Sequence, residues 1–142
     1  MTQLEALKAI AARDGGLLRP AAVVEAARPK SSPLHGAFCW DDTKAAELYR
    51  LDQAQRLIRS FRIVVEDERG KEAEVPVFIG ISTDRTEGKA DNPFRLAEEV
   101  SKDADLVAVA VEDALEQLRG LRNRYNHLKA LADVWQAIDS HR

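Results

Sequence analysis

Cys39 and His35 lie four residues apart, and Asp41 and Asp42 follow directly after Trp40. A Cys–His pair offers a thiolate nucleophile and its base, and a His-Asp-Asp group offers ligands to a metal ion. Neither set is complete. Cys39 sits between Phe38 and Trp40, which predicts a buried, inert thiol. Two adjacent acids diverge at a helix start, where capping and the helix dipole account for both. The single cysteine excludes an intramolecular disulfide and leaves a metal without thiolate partners. There is no Gly-rich phosphate loop, no G-x-S-x-G and no H-E-x-x-H. His127 and His141 stand too far apart to share a ligand. The expectation is a chain with no catalytic residue, no metal site and no cofactor. Leu34, Phe38 and Trp40 are expected to form a structural plug.

Basic residues offer a different chemistry, contact with phosphate. Lys30, Lys44, Arg50, Arg69 and Lys71 form the candidate nucleic-acid set, with Thr43 and Glu47 beside them. Asp41, Asp42, Glu47 and Asp52 would repel a phosphate backbone, and the competing reading is an ordinary solvated helix and hairpin. A second polar stripe, Arg119, Arg122, Asn126 and Lys129, has helical spacing. It could track a nucleic acid, or be a wet helix face paired with Glu112, Asp113 and Glu116.

These residues must be positioned by a chain of 142 residues, the size of one domain with a core of its own. Leu4, Leu7, Ile10 and Ala11 give a short amphipathic helix stopped at Gly15-Gly16, and Leu17-Leu18 a buried connector. Pro20 opens a second helix that Pro29 ends. The segment 29–36 is turn-rich, with one helical turn expected after Pro33. A third helix runs to about Ser60, with Leu48, Leu51, Ala54, Ile58 and Phe61 on its apolar side.

The period then changes to two. Phe61, Ile63 and Val65 alternate with polar or outward residues, and Val75, Val77, Ile79 and Ile81 alternate again. This predicts a β-hairpin with a charged loop at 67–70, whose apolar face must lie on helices or a third strand. Pro76 points to an edge position. Residues 82–92 read as a polar, disordered loop, and Asn92-Pro93 as the start of a short helix over 94–102.

From 104 to 140 the pattern is a long amphipathic helix. Val107, Val111, Ala114, Leu118, Leu121, Tyr125, Leu128, Ala132 and Trp135 are spaced alternately four and three apart. Leu115, Leu131, Val134 and Ile138 widen the stripe. Val111, Leu118, Leu121, Tyr125, Leu128 and Trp135 are the candidate oligomer interface. The fold class expected is therefore α+β, mostly helical. A three-helix part with a β-hairpin, in the order of a winged helix-turn-helix, is followed by a long helix for self-association. The divisions are 1–82, a loop and short helix at 83–103, and the arm at 104–142.

Residues 1–60 carry nine Lys/Arg against seven Asp/Glu, and residues 61–142 carry twelve against seventeen. That asymmetry permits a local basic patch and excludes a globally basic coat. No apolar run is long enough to span a membrane, and the N-terminus lacks a signal-peptide core. A cytoplasmic location is expected.

The run Leu18-Arg19-Pro20-Ala21-Ala22-Val23-Val24-Glu25-Ala26-Ala27-Arg28, with Ser32-Pro33-Leu34-His35, Phe38, Trp40-Asp41-Asp42, Ala45-Ala46 and Tyr49-Arg50, resembles a family of small proteins encoded by bacteriophages and prophages. Ala114-Leu115, Leu118, Arg124-Tyr125, His127-Leu128, Trp135 and Ala137-Ile138-Asp139 are similar to it as well. The resemblance covers nearly the whole chain outside 82–92. It implies a small accessory protein of a bacterial or viral cytoplasm, of a kind that handles DNA or regulates genes, and carries over no site residue. Cys39 departs from the acidic or polar residue expected there, which weakens a catalytic use of it further. The function expected is a non-catalytic, oligomeric DNA-associated protein, a regulator or DNA-organising factor. The alternative is an adaptor that binds a host or phage protein without nucleic acid. The expected partners are a second copy of the chain, double-stranded DNA, or that protein, and no membrane.

Overall fold

The structure, a computed structural model, describes residues 1–40, 43–86 and 91–140. Thr2 and Glu5 exchange side-chain-to-backbone hydrogen bonds of 3.1 and 2.7 Å, a capping box that starts α1 (Gln3–Arg13). Gly15 and Gly16 adopt φ of +72° and +89°, a conformation open to glycine at little cost, and end the helix. Leu18 then exchanges two backbone hydrogen bonds with Phe94, at 2.6 and 2.8 Å. Pro20 is the first residue of α2 (Pro20–Ala27), as its fixed φ favours. Arg19 provides no side-chain cap, and Asp91 supplies one from across the chain, accepting the Ala21 N–H at 2.6 Å.

A single 3-10 turn at His35–Ala37 fulfils the turn expected after Pro33. The proposed Asp41-Asp42 cap lies outside the described residues. Thr43 caps α3 (Lys44–Ser60), its hydroxyl accepting the Ala46 N–H at 3.2 Å. Ala54 and Ile58 of α3 are fully buried, and Leu51 and Phe61 are partly so. Leu48 corrects the expected apolar side, because it is 66% exposed.

The core joins α1, Leu18, α2, Leu34, Phe38 and α3 to Val77, Phe78 and Phe94. Two small antiparallel sheets follow α3, and only the second contributes residues to the core. In the first, β1 (Arg62–Glu66) pairs with β2 (Glu72–Pro76), with Ile63 opposite Val75 and Val65 opposite Ala73. In the second, β3 (Phe78–Ile79) pairs with β4 (Arg95–Leu96). The expectation of a covered hairpin fails. Every residue of β1 is exposed, including Ile63, Val64 and Val65, because the chain turns into the core only at Val77. There the Val77 N–H donates to the Phe61 carbonyl at 3.0 Å.

The Asn92-Pro93 helix start is also corrected. Phe94 to Leu96 is extended, satisfying backbone groups of Leu18 and β3, and the helix α4 (Ala97–Ser101) begins only after it. Within the expected loop at 82–92, Ser82–Asp84 forms a 3-10 turn. Asp84 and Arg95 form a bidentate pair at 2.5 and 2.9 Å, and residues 87–90 lie outside the described part. The segment 83–103 thus contributes Phe94 and Leu96 to the core rather than merely linking two parts.

The long helix is broken. α5 (Ala104–Tyr125) starts at the Asp103 cap, and a 3-10 turn at Lys129–Leu131 precedes α6 (Ala132–Ser140). Asn126 and His127 are weak helix formers. Packing decides the rest: α6 meets α5, and its Trp135 and Ile138 become buried. Arg122 and Asp139 form an ion pair between the two helices. The architecture is α+β and mostly helical. Among the described residues, no helix is long and apolar enough to cross a membrane.

Candidate nucleic-acid interface and oligomer seam

The described candidate nucleic-acid residues are spread over the turn after α2, the interior of α3 and the hairpin tip. Lys30 is exposed in the turn after α2. Arg28 meets Glu47 at 3.4 Å, which puts that turn near the start of α3. The side chain of Lys44 lies outside the described part. Arg69 and Lys71 are exposed at the tip of the hairpin, which leaves the other end of α3. Their backbone N–H groups both donate to the Asp67 carboxylate at 2.9 Å, so an acid stands between them. α3 itself is about 25 Å long at 1.5 Å per residue, with the Lys30 turn near its start and the hairpin leaving from its end.

Arg50 is a correction. It is 2% exposed, its Nε donates to the Cys39 carbonyl at 2.7 Å, and its guanidinium lies 5.2 Å from the centre of the Trp40 ring. An arginine spent on a backbone carbonyl and an indole face inside the chain is not available to a groove.

The Trp40 cluster has the structural character expected of it. His35 stacks on Trp40 at 5.0 Å with the rings 8° apart, and Trp40 Nε1 donates to the His35 carbonyl at 3.0 Å. His35 Nδ1 lies 2.9 Å from the Ala27 carbonyl at the end of α2. Leu34 and Phe38 are buried. The expectation of a buried thiol at Cys39 is wrong, because Cys39 is exposed. Strand-like backbone at Phe38 turns its ring inward and sends the next side chain outward.

The seam on α5 is uncovered. No residue of this 22-residue helix is buried, and Val107, Val111, Leu118, Leu121 and Tyr125 are 37–43% exposed. Its partly covered residues, such as Leu106, Val109, Ala110 and Asp113, occupy another side. Asp113 accepts the Ser82 N–H at 2.8 Å. Leu128 is exposed too, but lies past the end of α5. Trp135 is a second correction to the candidate interface: it is 7% exposed within the chain, with its indole N–H unpartnered among the described residues. Two residues of the polar stripe form ion pairs, Arg119 with Glu112 along α5 and Arg122 with Asp139 of α6.

Spacing in sequence did not single out a cleft of about 740 Å³ between the end of α3, the strands β2 and β3 and residues 92–94. Arg59, Arg62 and Arg85 line it, with Phe78, Pro93 and Phe94 among the apolar residues. Arg59 lies over the Phe94 ring at 5.6 Å. The available signal was Arg56, Arg59 and Arg62 at intervals of three, crossing the helix-to-strand boundary. Arg85, far along the chain, carried none.

No protein-family model, no curated protein and no solved structure matches this chain.

Proposed function

We propose that this protein is a non-catalytic, self-associating DNA-associated protein, a regulator or DNA-organising factor of the small accessory type. The observation that carries the reading is α5, with no buried residue and an apolar seam left open. An exposed helix of this length gains most of its stability from packing, not propensity. Its 4-3 spacing suits a helical partner. The occupant is a second copy of α5, and charge favours the antiparallel arrangement. Asp105, Glu112 and Asp113 occupy the first half of the helix, and Arg119, Arg122 and Arg124 the second, where Glu116 is the one acid. A two-fold antiparallel pair sets each acidic half against a basic one.

Pairing would present two copies of the N-terminal body. The order α1, Leu18 bridge, α2, α3 and hairpin supports a winged helix-turn-helix reading of that body, with Lys30, Arg69 and Lys71 exposed on it. Phage or prophage origin and a cytoplasmic location belong to this proposal and rest on the resemblance and composition described above.

Light scattering at tens of micromolar, with duplex binding measured at low and high salt, tests both halves. The expected result is a multiple of 15.8 kDa and an affinity that falls steeply with salt. A monomer would sink the seam. Salt-independent or absent duplex binding would transfer the reading to a protein adaptor. One observation favours that alternative, the uncovered Ile63, Val64 and Val65 of the hairpin.

A further inference from the structure

We infer that the cleft lined by Arg59, Arg62 and Arg85 is a phosphate-binding site, the place where a nucleic-acid backbone or a nucleotide's phosphates are held. Three separate segments bring the arginines together: the end of α3, the first residue of β1, and the chain just after the 82–84 turn. None of the three forms an ion pair with a described residue, and no described lining residue is acidic.

Two acids near them in sequence are engaged elsewhere. Asp84, beside Arg85, holds Arg95 through two hydrogen bonds, and Asp52 pairs with Arg56 at 3.0 Å. Asp113, whose charge couples to that of Arg85, accepts its hydrogen bond from Ser82. In a chain of net charge −3, three exposed arginines lining one concavity make a local concentration of positive charge that favours an anion. A guanidinium presents paired N–H donors that match phosphate oxygens. The apolar residues Phe78, Pro93 and Phe94 form low-dielectric walls that strengthen the field inside.

The same geometry disfavours base stacking. Phe78 is buried, and Arg59 lies over Phe94. Binding through phosphate rather than base should therefore be insensitive to sequence. The volume suits a short length of backbone or one nucleotide.

The inference rests on the nucleic-acid reading only for the polymeric source of the phosphate. The test uses the full chain with fluorescein-labelled duplex and single-stranded 20-mers, and separately with ATP. Three variants are compared: R59Q/R62Q/R85Q, R62Q/R85Q, which keeps the Arg59–Phe94 contact, and R69Q/K71Q at the hairpin tip. Circular dichroism checks that each is folded. We expect the triple variant to lose roughly tenfold in affinity per arginine. Its salt slope on duplex should fall by about one per phosphate contact removed. The double variant should show a proportionate part of the loss, and the hairpin variant should weaken oligonucleotide binding alone, leaving ATP binding as in the wild type.

Loss of oligonucleotide binding, with no competition from ATP, assigns the cleft to the polymer. Loss of ATP binding in the same variants, with no oligonucleotide bound by the wild type, keeps the cleft and overturns the DNA reading. Oligonucleotide bound equally by wild type and triple variant keeps the DNA reading and overturns the cleft. No binding of either ligand overturns both.

Discussion

The Ser82 backbone N–H donates to the Asp113 carboxylate at 2.8 Å, tying the turn after β3 to the middle of α5. Hydrogen bonding by the Ser82 hydroxyl and backbone, with a smaller contribution from Arg85, holds the Asp113 carboxyl below its ordinary range. A carboxylate whose folded pKa is depressed contributes stability above its unfolded pKa, about 3.9. That contribution is lost as pH falls through the lower folded value. The expected outcome is that Asp113→Asn lowers the thermal midpoint at pH 6, and that the gap to wild type closes as the pH falls below the ordinary carboxylate range. A gap independent of pH would remove Asp113 ionisation as its cause.

Seam and fold can be separated by mutation. Leu118→Asp with Leu121→Asp places charges on the open face of α5, so it should produce a monomer with an unchanged far-ultraviolet spectrum. Trp135→Ala acts differently, because Trp135 is buried within the chain, on a helix that packs against α5. It should loosen α6 and raise hydrogen exchange over 132–140, before any change in assembly. Equal effects of the two variants on assembly and folding would contradict the division.

Trp40 is half-buried, stacked on His35, flanked by Arg28 and Arg50 and bonded through its indole N–H. Trp40→Ala should cost about 2–4 kcal/mol, somewhat less than truncation of a fully buried tryptophan. His35→Ala should cost about 1–2 kcal/mol, because it removes the stack and the contact with the Ala27 carbonyl. Denaturant titration of both variants measures this, and an unchanged midpoint for Trp40→Ala would refute the plug.

The Cys39 thiol should react with Ellman's reagent in the native protein, at a rate close to that in the unfolded chain. Burial would show instead as a slow phase limited by unfolding.

Local signals determined a large share of this fold. Capping and turn residues placed α1 between Thr2 and Gly15, Pro20 at the start of α2, and the hairpin around Gly70. Those devices act over a few residues, so they can be read without knowing what lies nearby in space. The 4-3 spacing likewise marked α5, although it could not show where the helix ends. Tyr125 and Trp135 fit one straight stripe, and only the burial of Trp135 and Ile138 after the break separates them. Arg50 and Arg59 show the same limit from the polar side. Both are arginines on one helix, but Arg50 reaches the Cys39 carbonyl inside the chain whereas Arg59 lines the cleft. The surroundings of each come from segments distant in sequence: the 38–40 turn for one, Phe94 and Arg85 for the other. Side-chain type and period constrain which residues can share an element face. Only tertiary packing, where long-range contacts offset chain entropy, decides which faces are covered and which charges converge.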